Sequence, residues 1–172
     1  MFPLLQVRRN HALEHATLHV LARDLPQRPL AGYSYSGGIF IFGDVPSEAL
    51  MAALHEAERR LRQGEHYLAI HPGCGTNLSM ALFLTTGLAW LPLRGRMDSP
   101  RRWGWRIPIA TLLALLGLFL ARWLGPWAQK YLTTEANLGD LAILSVDRVT
   151  LGPWQFHHIR TGGRIQGARR DE

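Results

Sequence analysis

The sequence predicts an α+β fold: a small helix-and-sheet domain with a two-helix transmembrane hairpin inserted before its C-terminal strands. Three observations lead there. Two segments, Thr76–Leu93 and Ile107–Ala121, contain no charged residue and are apolar on every side. The chain before and after them switches between helical and strand periodicity, as an α+β domain requires. The 172 residues, with one Cys among them, suit a single domain with a real core and exclude a disulfide framework. The resulting organisation is an α+β domain over 1–75, the hairpin over 76–129, and strands that complete the sheet over 130–172.

Taken in order, Leu4–Ala22 reads as a helix ended by Asp24 and Pro26. Gly32–Phe42 reads as a strand or hairpin, with Tyr33, Tyr35, Ile39 and Ile41 alternating, and Asp44–Pro46 as the turn after it. Ser47 is placed to cap a second helix reaching Arg62, whose apolar face holds Ala49, Leu50, Ala53, Leu54, Ala57 and Leu61. Gly64 stops that helix, and His66–His71 reads as a short strand. Beyond the hairpin, Leu141–Val149 and Trp154–Arg160 read as two further strands. The N-terminal charges follow the apolar residues and no long apolar stretch precedes a cleavage site, so the first 75 residues are expected in the mature protein.

Eighteen helical residues cover about 27 Å, close to a hydrocarbon core of about 30 Å, and the second run can continue past Arg122 through Trp127. Trp90, Trp103, Trp105, Trp123 and Trp127 fall near the ends of the runs, where indoles favour the membrane interface. The alternative is a buried hairpin in a soluble protein, but two helices apolar all round need more surrounding protein than this chain supplies. The net charge of +6 is unevenly placed. Residues 1–75 carry seven Arg against seven acids, whereas 76–129 carry six Arg against Asp98 alone, and five of those Arg lie between Arg94 and Arg106. A pI near 10.4 suits a polyanionic partner. Because the surplus Arg cluster between two spans and lack interleaved aromatics on a sheet, no nucleic acid is expected, and anionic lipid at the Arg94–Arg106 connector is the expected partner. The chain is thus expected in the cell membrane, crossing it twice, with a cytoplasmic connector by the positive-inside rule.

The chemistry-bearing residues concentrate in two blocks. On the first helix, His11, Glu14 and His15 fall within about 100° of arc, on the face that also holds Leu4, Val7, Leu18 and Ala22. Polar groups on an apolar stripe need partners once buried, and two His at i and i+4 beside a carboxylate suit zinc or another divalent metal. The second block, His71-Pro72-Gly73-Cys74-Gly75-Thr76-Asn77, precedes the first span. Cys74 at a helix N-terminus could be the third ligand, a nucleophile with His71 or His15 as its base, or a small residue packed in a turn. His71 is the other residue able to complete the metal shell. His19 continues the i, i+4 ladder but is expected at the domain edge, His55 and His66 are expected in solvent, and His157 and His158 should face opposite sides of a strand.

His11-Ala12-Leu13-Glu14-His15 matches HxxEH and so resembles the inverted zincins, the insulinase-like metallopeptidases. That resemblance implies His11 and His15 as zinc ligands and Glu14 as the base that activates a metal-bound water. The family draws its third ligand from a Glu on a later helix, and Glu56 and Glu58 come too early in this chain for that role. The blocks Asn10–Thr17, Ser36–Gly43 and His71–Asn77, followed by two hydrophobic spans, also resemble an uncharacterised bacterial membrane-protein family, which implies a membrane location and no activity. Two functions follow: a membrane-anchored metal-dependent hydrolase with Glu14 as base, or a non-catalytic membrane protein in which His11, Glu14 and His15 form a structural polar network or structural metal site.

Overall fold

The computed structural model describes residues 3–94, 99–152 and 154–163. The chain separates into two compact units, Met1–His71 with Thr133–Glu172, and Pro72–Leu132.

In the first unit a long helix α1 (Pro3–Asp24) packs against a second helix α2 (Ser47–Arg62) and against a four-stranded sheet. The strands are β1 (Ala31–Tyr35), β2 (Gly38–Phe42), β3 (Leu141–Leu151) and β4 (Trp154–Gly163), in the spatial order β1-β2-β4-β3 with every pair antiparallel. The last strand enters the middle of the sheet, so both C-terminal strands complete it as expected. Alternation decides the faces. Ile39, Ile41, Leu141 and Ile159 are buried toward the helices, while Phe40 and His158 stack with ring centroids 4.5 Å apart among the aromatics of the other face.

The apolar face read for α2 is the buried one, with Leu50, Ala53, Leu54, Ala57 and Leu61 in the core. Ser47 is not its cap: Pro46 takes that position without a side-chain hydrogen bond, and the Ser47 hydroxyl lies 3.0 Å from His157 Nε2 instead. At the far end the Gly64 and Glu65 N–H groups donate to the Leu61 and Arg60 carbonyls, closing the helix and reversing the chain. The segment after it corrects the expected strand over His66–His71: His66–Ala69 is a 3-10 turn. Leu68 and Ala69 are both buried, and consecutive residues of a strand could not face one core together.

The second unit consists of α3 (Gly75–Leu93) and α4 (Pro100–Ala128), the latter widening into a π turn over Gln129–Thr133. α4 starts seven residues before the expected Ile107, because Pro100 pre-sets the first helical turn, and so Arg101, Arg102 and Arg106 belong to the helix rather than to the connector. Arg96 and Asp98 of that connector lie outside the described residues. The buried-hairpin alternative fails on exposure. No residue of the apolar window of α3 is buried and only 17% of that of α4 is, leaving Leu78, Leu82, Phe83, Leu112, Leu115 and Phe119 uncovered. Side chains of this kind need a lipid solvent, and the chain is a multi-pass membrane protein with two spans.

Small residues let the two spans meet. Gly117, Ala121 and Gly125 follow one another at i+4 steps on α4, and a Cβ at Gly117 would lie 2.8 Å from the Leu84 carbonyl of α3. At one end of the hairpin the fully buried Gln129 donates to Asn77 Oδ1 at 2.6 Å, and Asn77 Nδ2 donates to the Pro72 carbonyl at 2.9 Å.

Candidate metal centre

The middle of α1 is buried on nearly every side although it carries Asn10, Glu14, His15 and Thr17. The single apolar stripe expected for it is corrected accordingly: Leu4 and Ala22 are exposed, because the helix is enclosed only in its central turns. Burial obliges each polar group to find a partner. Asn10 Nδ2 donates to the Tyr35 carbonyl at 2.6 Å, and its Oδ1 accepts the Thr161 hydroxyl at 2.7 Å, tying α1 to β1 and β4. Thr17 donates back to the Leu13 carbonyl of its own helix. Sequence reasoning did not single out Asn10, whose partner on β4 is 151 residues away.

His11 and His15 use one ring nitrogen each for the same purpose. His11 Nδ1 lies 3.0 Å from the Thr133 carbonyl, and His15 Nδ1 lies 2.7 Å from the Ala69 carbonyl. A carbonyl can only accept, so Nδ1 carries a proton in both rings, and in the neutral form of each ring the lone pair is on Nε2. This is the arrangement by which proteins orient a metal-binding histidine and raise its basicity. The two ring centroids are 4.3 Å apart. His11 and His15 thus form a ligand group able to take part in coordinating a divalent metal. Cys74, in the second unit, is the N-cap of α3, where its sulfur accepts the Thr76 N–H at 3.4 Å.

Glu14 is not a member of that group. Its carboxylate packs on Gly32 of β1, where any Cβ would collide with it, and takes a hydrogen bond from the Ser34 side chain. Burial raises its pKa above the ordinary carboxylate value, against opposing effects of His11 and Ser34. His19 is half-buried. Its Nε2 lies 2.9 Å from the Ile70 carbonyl, and its ring is 4.8 Å from that of His71, which is in turn 5.6 Å from His15. Burial, with His19 and His15 beside it, pushes His71 down to about 4. His157 and His158 do face opposite sides of β4, the first buried against Ser47 and the second 2.8 Å from the Tyr35 hydroxyl.

An α+β domain joined to two membrane spans defines a class of integral membrane protein. Residues 6–146 match the model of a domain of unknown function, DUF6391, and the chain belongs to that family. An uncharacterised protein of the cyanobacterium Picosynechococcus is 37% identical over 164 residues, covering 86% of this chain and 74% of its own length. No solved structure matches the chain.

Proposed function

We propose that this protein is a non-catalytic, membrane-anchored metal-binding protein in which His11, His15 and Cys74 hold one divalent ion, zinc being the first expectation. The observation that carries the reading is the pair of Nδ1–H donations to backbone carbonyls from two rings 4.3 Å apart, which leaves Nε2 of each neutral ring to face an ion. A borderline cation suits a mixed nitrogen and thiolate set. Glu14 serves as a strut between α1 and β1. A hydrolase would need that carboxylate free to take a proton from a metal-bound water, whereas it is engaged with Ser34 and packed on Gly32. Support for a lipid partner comes from the hairpin turn, where the Arg94 guanidinium sits 4.2 Å over the Trp90 ring, an arrangement that presents cations and indoles together to anionic headgroups.

The test compares metal content and thermal midpoint of detergent-purified wild type, His11→Ala, Cys74→Ser and Glu14→Gln. Loss of the metal in the first two, with retention in Glu14→Gln and no hydrolysis by any form, is expected. A metal-free wild type would sink the reading. Metal retained in Glu14→Gln alongside a hydrolytic activity that falls 10²–10⁴-fold would restore the hydrolase.

A further inference from the structure

Beyond the His/His/Cys group, the same face of α1 continues to His19, and the turn after the 3-10 segment brings His71 against it. The geometry points to a second cation station made by His19 and His71, taking a borderline divalent ion such as Zn2+ on two imidazole nitrogens with water completing the shell. Three observations in the first unit support it. His19 repeats the device of His11 and His15: its Nε2 donates to the Ile70 carbonyl, so in the neutral ring the lone pair is on Nδ1. Two imidazoles on one tetrahedral ion have ring centroids about 5 Å apart, given Zn–N bonds of about 2.1 Å. The His19–His71 separation is 4.8 Å.

The rings meet edge to face, tilted by 64°. His15 and His19 donate to the consecutive carbonyls of Ala69 and Ile70, which locks both rings against one stretch of backbone and leads the chain straight to His71. The four imidazoles then form a row in the order His11, His15, His71, His19, with centroid steps of 4.3, 5.6 and 4.8 Å. A row of this kind offers a second, weaker site at its His71–His19 end. The station extends the proposed His/His/Cys site but does not depend on it.

Full-length wild type, His19→Asn/His71→Asn and Cys74→Ser, all in detergent, are dialysed against Zn2+ and assayed for bound metal, then loaded with Co2+ to read the thiolate-to-cobalt absorption band. Wild type should bind two equivalents. The double variant should bind one fewer with the thiolate band intact, and Cys74→Ser should lose the band while keeping the ion at His19 and His71. An unchanged stoichiometry in the double variant overturns the station. So does loss of the thiolate band along with the ion, because the two histidines would then serve the cysteine site. Binding by wild type without any thiolate band, abolished in the double variant, would uphold the station and sink the His/His/Cys reading. Should the double variant fail to fold, His71→Gln replaces it with the same outcomes.

Discussion

Helix α1 and the hairpin helices α3 and α4 invert the usual relation between polarity and burial. α1 is the more polar, yet Asn10, Glu14, His15 and Thr17 are buried within it. α3 is apolar along its length and has no buried residue. The difference lies in the surroundings. α1 is enclosed by protein that supplies a specific partner for each polar group, and the hairpin is suited to a solvent of hydrocarbon, where apolar side chains gain nothing by hiding. The contacts that hold each region differ to match. α1 is fixed by hydrogen bonds to the carbonyls of Tyr35, Ala69 and Thr133, while α3 and α4 meet through backbone approach at Gly117.

The comparison breaks most readily at Asn10. Replacing it with Ala strands the Tyr35 carbonyl and the Thr161 hydroxyl in the core, and should cost about 2–4 kcal/mol in denaturant unfolding of the purified protein. Gly117→Val tests the opposite mode of packing. A side chain there meets the Leu84 backbone, and the SDS-unfolding midpoint of the hairpin should fall by the equivalent of about 1–3 kcal/mol, whereas Leu112→Val on the exposed face should change it little.

A smaller effect is expected from acid. His71 is held at about 4 and His157 below the ordinary imidazole value, both chiefly by burial, so the unfolded chain takes up their protons first as pH falls. Stability from these groups is complete above about pH 6.5 and is lost progressively toward pH 4, while the raised pKa of Glu14 acts in the opposite direction. The metal-free thermal midpoint should therefore drop across that window, and His157→Asn should flatten the drop; a midpoint independent of pH between 7 and 4 would contradict the assignment. The last prediction concerns position alone. In a Cys74→Ser background, a Cys introduced at Ser99 should resist membrane-impermeant thiol reagents applied to intact cells, as a cytoplasmic connector requires, and ready labelling would reverse the orientation.

Much of this was legible from residue order. The apolar runs announce the spans, since a stretch of 18 or more uncharged residues has few alternatives to crossing a bilayer, and the period of α2 marks its buried face correctly. The i, i+4 spacing of His11 and His15 announces two rings on one side of a helix, and the His-Pro-Gly-Cys-Gly block places a thiol at a helix start. Less legible were the ends of α4 and the 3-10 turn, where Pro100 and the joint burial of Leu68 and Ala69 outweigh the local pattern.

What the sequence by itself determined is most of the helices and strands, the solvent each helix is built for, and the identity of the possible ligands, because these depend on composition and on fixed helical geometry. Only the tertiary structure decided which partner each polar group takes. It turned Glu14 to the sheet, brought His19 beside His71, and supplied the carbonyls of Thr133, Ala69 and Ile70 that orient the rings of His11, His15 and His19. Those carbonyls lie more than 50 residues from the rings they orient, and the pairing of a hydrogen-bond donor with a distant acceptor leaves no periodic trace in the chain.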